Sequence, residues 1–363
     1  MDKKKLIYIL SAVAGVMVIF IVIIAIVSSS SKKVLSYSKI EERLKNAAVS
    51  YFSDNELSLP NNEGGSTTID ASTLADGGYM KQLSELVKEG VTCSGKVIVT
   101  KNKDQYLYSP ILNCGDEFKT EKFVDVVLKD NPVATIGDGL YQDGDIYLFR
   151  GEEVYNYVQL DSSLWRIIDI DSDGYARLIY VGKSTEETYQ WDDRYNIEAD
   201  DYVGINDYSV SRIKQTLHNL ELSGKYISES AKKNVVYKNW CVGKRSNTNI
   251  ALNNNEECSE TVSDQLFGLP YVSDYSRASI DKNCNTIDDE SCGNYNYLMG
   301  SSLSSWTLTG EKEKTYRVYT VSSSGYSITN AVNDRYIRPT IYISNNAIYD
   351  SGDGTNKNPY KLR

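Results

Sequence analysis

Side chains able to do chemistry are few in kind here: one histidine, six cysteines and two aspartate-rich stretches. A nucleophile needs a base held within hydrogen-bond reach. His218, the single histidine, shares an apolar-periodic stretch with Val210, Ile213, Leu217 and Leu220, which places it on an amphipathic helix and not beside a nucleophile. The cysteines fall as Cys93 with Cys114, Cys241 with Cys258, and Cys284 with Cys292. None makes a C-x-x-C, and a lone histidine cannot complete a zinc finger. Six cysteines allow fifteen pairings, so spacing does not fix the bridges; disulfides between nearest neighbours are the expectation for an exported chain. Asp169, Asp171, Asp173 and Gly174 open like an EF-hand loop, but the twelfth position is Tyr180 where a bidentate glutamate belongs. A β-turn with solvated aspartates accounts for them. Asp281, Asn283, Asn285, Asp288 and Asp289 make a second oxygen-rich loop, where calcium is the one cofactor worth weighing; a polar loop tied by Cys284 and Cys292 explains it as well. No glycine-rich phosphate loop is present. The chain therefore reads as non-catalytic and without a cofactor.

The element that must position all of this is residues 6–27, from Leu6 to Val27, an apolar run of 22 residues without a charge. As a helix it spans about 33 Å, enough to cross the hydrocarbon core of a bilayer. Lys3, Lys4 and Lys5 precede it, which sets the short end inside and the bulk of the chain outside. The run is longer than a signal-peptide core and lacks a good small-residue cleavage site, so the expectation is a retained single-pass anchor in the cell membrane. Residues 1–33 hold five Lys and one Asp, leaving 34 basic and 48 acidic side chains beyond, a net of −14. That field repels phosphate and excludes nucleic acid as a partner. Tyrosine outnumbers phenylalanine 29 to 6, a bias suited to partly wetted sheets.

Beyond the anchor, Ile40, Leu44, Ala47, Ala48, Tyr51 and Phe52 form one stripe of a helix over 37–52. A short strand follows over 67–70, then a helical turn from Ser72 and a helix over 79–88 stopped by Gly90. Residues 96–101 and 106–113 read as a hairpin turned at Asn102, Lys103 and Asp104, with Cys93 and Cys114 outside its two ends. Membrane helix, amphipathic helix, short strand and helix, then Cys93-Ser94-Gly95-Lys96-Val97-Ile98-Val99-Thr100 and a hairpin closed by Cys114 resemble the exported, prepilin-related surface proteins of low-GC Gram-positive bacteria. The resemblance covers about residues 1–120 and implies a small pilin-like α+β module over 34–120, with pilin-like assembly as a candidate association. The apolar run lacks the glycine followed by an aromatic start, and the early glutamate, that pilus subunits use.

Residues 121–150 read as a linker or strand-rich spacer, with strands over 123–128 and 146–149 and turns at Asp138-Gly139 and Asp143-Gly144. From 151 the expected strands are 157–160, 164–170 and 175–181, followed by a helix over 208–220 and a short one over 226–236. An irregular Asn-, Ser- and Asp-rich stretch covers 240–304; strands over 306–309, 316–321, 325–329 and 337–343 close the chain.

This half, 151–363, resembles the C-type-lectin-like domains of bacterial surface proteins, a superfamily that also holds the sulfatase-modifying enzymes. The carriers are Leu164-Trp165-Arg166-Ile167-Ile168, the run from Leu269 to Tyr275, Trp306-Thr307-Leu308-Thr309, and the run from Tyr336 to Ile343. The calcium-dependent lectins imply a proline loop and a Trp-Asn-Asp, of which only Val332-Asn333-Asp334 is an echo. The sulfatase-modifying enzymes imply a reactive cysteine pair near the domain end, and no cysteine follows Cys292. Arg338, before Pro339, is expected to pair with one of the many acids. The implied architecture is α+β: a single N-terminal transmembrane helix, the pilin-like module, and a C-type-lectin-like domain. The implied role is extracellular binding or adhesion to a glycan or protein ligand. The expected ligand surface is the irregular loops, with Trp240, Tyr271, Tyr275, Tyr295 and Tyr297 available to stack. A pseudopilin-like part of a secretion or assembly machine, and an enzyme on the sulfatase-modifying scaffold, are the alternatives.

Overall fold

The structure, a computed structural model, describes residues 34–181, 187–299 and 303–363. The apolar run from Leu6 to Val27 lies outside them; among the described residues no helix is long and apolar enough to cross a membrane. The described chain is α+β with sheet predominating, and it divides into two compact units. The first holds residues up to Ser58, Thr68–Val97 and Pro110–Lys119; the second holds Leu59–Thr67, Ile98–Ser109 and Thr120–Arg363. The division differs from a single cut near residue 120, because the middle of the hairpin belongs to the second unit.

In the first unit, α1 (Tyr37–Asp54) buries the anticipated stripe of Ile40, Leu44, Ala47, Ala48 and Phe52. Strand β1 (Ser66–Asp70) leads into α2 (Ala71–Asp76) and a single turn, α3 (Leu83–Leu86). The helix expected over 79–88 shrinks to that turn, with buried Val87 already extended at its C-cap. Strands β2 (Ser94–Asn102) and β3 (Gln105–Asn113) form the hairpin, in a sheet ordered β1-β2-β3. Gly95 packs without a side chain because an added Cβ would meet Leu44 at 3.0 Å and Leu83 at 3.4 Å. The Cys93–Cys114 disulfide clamps the open end of the hairpin.

Beyond the hairpin the second unit continues with α4 (Phe123–Asp130), where the sequence suggested a strand. Phe123, Val126 and Val127 are spaced i, i+3, i+4 and reach the core, and that burial overrides the β-propensity of the three valines. Strands β4 (Gly139–Asp143) and β5 (Ile146–Arg150) follow, so the stretch expected as a spacer supplies Leu140 and Phe149 to the core. Strands β6 (Tyr157–Leu160), β7 (Ser163–Ile170) and β8 (Ala176–Tyr180) come next, then the short β9 (Tyr189–Gln190). The helix expected over 208–220 is cut by Ser211. That residue is extended and accepts from the Lys214 backbone N–H as N-cap of α5 (Arg212–Ser223), which ends at left-handed Gly224. A single turn, α6 (Glu229–Lys232), replaces the short helix expected over 226–236, and Val235–Val236 becomes β10.

The irregular stretch contains β11 (Lys238–Cys241), β12 (Thr261–Gln265) and α7 (Val272–Arg277). The closing strands are β13 (Ser305–Gly310), β14 (Arg317–Ser322), β15 (Gly325–Asn330), β16 (Asp334–Arg335), β17 (Thr340–Ile343), β18 (Tyr349–Ser351) and β19 (Tyr360–Leu362). The main sheet runs β10-β17-β8-β7-β6-β19-β18, with β4 and β5 joined beside β7. Ile337 to Pro339 stay outside the strands, where proline, without an N–H, supplies only its carbonyl to the Tyr180 N–H.

Two buried arginines hold the irregular stretch. Arg245 pairs with Glu257 through Nε and Nη2, and donates to the carbonyls of Asn249, Ala251 and Asn253. Arg177, on β8, bridges Asp169 and Asp274. Burial depresses its guanidinium, but the two carboxylates more than reverse this and leave its pKa raised. Disulfides Cys241–Cys258 and Cys284–Cys292 complete the nearest-neighbour set expected from the sequence.

Candidate functional site

The main sheet carries a cleft at its β6–β7–β8 face. Tyr157 on β6 sits directly opposite Arg166 on β7, so their side chains share one face of the sheet. The Arg166 guanidinium lies 4.2 Å from the Tyr157 ring centroid and 4.4 Å from that of Tyr297. This three-layer stack gives the cation two electron-rich faces. Its edge is fixed by Nε donating to Asn156 Oδ1 at 2.7 Å and Nη2 to the Val154 carbonyl at 3.3 Å. Asn156 is fully buried and in turn donates to the Ile167 carbonyl at 2.8 Å, which also accepts from the Tyr297 hydroxyl at 3.0 Å. The ladder between β7 and β8 shifts register between Ile167 and Asp169, a bulge of the kind that re-aims side chains.

A second arginine faces the same space. Arg338 donates through Nη1 to the Leu298 carbonyl at 2.9 Å and through Nε to the Tyr180 carbonyl at 3.3 Å. The expected pairing with an acid is not what the fold provides: carbonyls hold Arg338, because the strand end of β8 and the turn at Leu298 reach it first. Among the described residues neither Arg166 nor Arg338 forms an ion pair, although ion pairs are frequent elsewhere.

Two adjoining hollows result, one of about 320 Å³ and one of about 490 Å³. Tyr157, Arg166, Tyr297 and Asn356 line both. Tyr180, Tyr336 and Arg338 complete the first; Glu153, Tyr155 and Lys357 stand at the second. Burial lowers the Arg166 pKa, Tyr297 and Tyr157 oppose that, and repulsion from Arg338 adds to it. Burial raises the Tyr297 phenol, which keeps it a hydrogen-bond donor. The arrangement can accept a polar ligand with an anionic group, stack its rings on tyrosine, and exclude water from one edge of Arg166.

The aromatic residues proposed from sequence are dispersed. Trp240 is fully buried, donating from Nε1 to the Gln265 carbonyl and packing 5.0 Å from Tyr342. Tyr271 is buried against Arg177 and its hydroxyl accepts from the Cys241 N–H. Tyr275 is buried in the core, and Tyr295 is exposed at a positive φ of 45°. Of the five only Tyr297 lines the hollows, while Tyr275 stands beneath Arg338, its ring centroid 5.9 Å from the guanidinium. An irregular backbone suggested exposed loops, but Arg245 and two disulfides fold that backbone onto the core and take its aromatics inside. Tyr157, Arg166, Tyr336 and Arg338 were not singled out as ligand contacts. The available signal was Arg166 within the apolar run Leu164-Trp165-Arg166-Ile167-Ile168, a charge that must be buried with a purpose.

The other candidates resolve into structure. His218 is exposed on α5, with Nδ1 3.4 Å from Glu221 Oε2. Asp169 serves Arg177, and Asp171 Oδ1 accepts from the Asp173 and Tyr175 N–H groups, closing the turn at left-handed Gly174. Asp281 and Asp289 likewise accept from backbone N–H groups of their own loop. Among the described residues no group of three or more His, Cys, Asp or Glu side chains is placed to hold a metal ion. All six cysteines are in disulfides. Compared with protein-family models, curated proteins and solved structures, the chain finds no match.

Proposed function

We propose that the protein is a membrane-anchored, extracellular surface protein that binds a ligand without transforming it, in the cleft walled by Tyr157, Arg166 and Tyr297. The observation that carries this reading is the stacked Arg166, a preorganised cation at the meeting of two hollows with no acid paired to it among the described residues. Two further features support it. Three disulfides suit an oxidising exterior, and the charge-free run from Leu6 to Val27 suits a single-pass anchor with the N-terminus inside. In this reading residues 34–120 are a pilin-like stalk module and the C-terminal half is a C-type-lectin-like module that presents the cleft for adhesion. An enzyme on a sulfatase-modifying scaffold would need a reactive thiol, and the six cysteines are paired.

The test is a glycan and peptide array probed with the purified full chain, beside Tyr336→Ala and Arg166→Met variants shown to fold by their near-ultraviolet circular dichroism. Saturable binding to some array member, lost in a folded variant, is expected. Binding that survives both substitutions, or no binding at all, removes the reading.

A further inference from the structure

Resting on that binding reading, we infer that the cleft recognises a carboxylated sugar, with the carboxylate taken by Arg166 and Arg338 and the sugar ring laid against tyrosine. Charge gives the first argument. Residues 34–363 carry a net −14, yet this cleft presents two guanidiniums whose described hydrogen-bond partners are one amide, the Tyr275 phenol and three backbone carbonyls. Arg166 keeps Nη1 without a hydrogen-bond partner among the described residues, and the half-buried Arg338, which also holds the Tyr275 phenol, lines the same hollow. A guanidinium that has given up much of its water is stabilised by a carboxylate, which matches its planar fork. The flanking acids do not fill that place: Glu152 and Glu153 are exposed and neither forms an ion pair with Arg166.

Backbone pairing gives the second argument, and it separates a sugar from a peptide. A peptide captured by a sheet adds a strand to an open edge. Here β6 lies between β7 and β19, β7 between β6 and β8, and β8 between β7 and β17, so the strands that build the cleft have no free edge. Recognition must come from side chains. Those on offer are tyrosine rings, from Tyr155, Tyr157, Tyr180 and Tyr336, and the Asn356 amide. Tyrosine presents an apolar face to the C–H face of a pyranose and a hydroxyl to its oxygens. Two adjoining hollows also suit consecutive residues of an oligosaccharide, and the smaller alone falls within the size range of ligand sites.

The experiment titrates the full chain by isothermal calorimetry with a uronic-acid tetrasaccharide, with its carboxyl-reduced neutral counterpart, with a sulfated neutral tetrasaccharide, and with an acidic peptide of equal charge. The uronic acid should bind roughly 10- to 100-fold tighter than the carboxyl-reduced sugar, the span expected for charge-assisted hydrogen bonds. Arg338→Met, at a half-buried position that tolerates loss of charge better than Arg166, should abolish that preference while leaving weak binding of the neutral sugar. Tyr336→Ala should weaken both sugars alike. Raised salt should weaken only the acidic one. Equal affinity for the reduced and acidic sugars overturns the inference, as does tighter binding of the sulfated sugar or the peptide; each leaves the binding reading standing. Failure of every ligand, here and on the array, removes both.

Discussion

Replacing Arg177 by methionine tests the claim that a buried ion triad, and not disulfides alone, ties the irregular stretch to the sheet. The Arg177 side chain is 2% exposed and bridges Asp169 and Asp274, whose side chains are 12% and 1% exposed. It donates to Asp274 at 2.8 and 2.6 Å and, through Nε, to Asp169 at 3.2 Å. Methionine fills much of the volume but leaves two carboxylates facing each other without a cation. Removing one partner of a buried pair costs about 3–5 kcal/mol. With a urea slope of about 3 kcal/mol/M, a loss of about 4 kcal/mol lowers the unfolding midpoint by about 1.3 M. The four tryptophans, Trp165, Trp191, Trp240 and Trp306, are all fully buried in the second unit, so a red shift in their emission reports that unit's unfolding. A loss under about 1 kcal/mol would refute the triad as the tie.

Three other outcomes follow from single positions. Gly268→Ala places a Cβ 2.3 Å from the Trp240 indole, at a residue bridged to Thr340 by backbone hydrogen bonds in both directions; overpacking should cost about 1–3 kcal/mol in urea titration and shift tryptophan emission. Arg245→Lys keeps the charge but cannot reach Glu257 and three carbonyls at once, so limited proteolysis should cut between residues 246 and 256 faster than in wild type. Glu198, held down to about 2 by hydrogen bonds from the Thr315 backbone and hydroxyl, stabilises the fold above its ordinary value of 4.5 and loses that contribution as pH falls toward 2. Glu198→Gln should thus lower the melting temperature at pH 7, with the difference closing between pH 4.5 and 2.

Legibility from sequence divided along physical lines. Local chemistry was readable: the α1 stripe from Ile40 to Phe52, the β2–β3 hairpin, and the strands β6 and β7 depend on spacing over a few residues, whereas the nearest-neighbour disulfides were an expectation that only the fold fixes. Segments whose periodicity was ambiguous went wrong where long-range burial chose. The run of valines after Phe123 became a helix because the core needed an i, i+3, i+4 face there. Ser211 ended one helix and capped another through a single hydroxyl. The candidate site was the least legible part. Tyr157 and Arg166 meet across a strand register, Tyr297 arrives about 130 residues later in the chain, and Arg338 about 40 after that.

The sequence alone determined that the chain is acidic, carries six cysteines in three close pairs, and holds a charge-free apolar run near its start, since each of these follows from composition or from neighbours along the chain. Tertiary structure decided which aromatics face solvent. It also decided that Arg166 and Arg338 line one hollow with no ion pair to either among the described residues, because strand register and the packing of an irregular backbone are settled by contacts between residues far apart in sequence. A tyrosine in a polar loop looks the same on paper whether Arg245 folds that loop onto the core or leaves it in water.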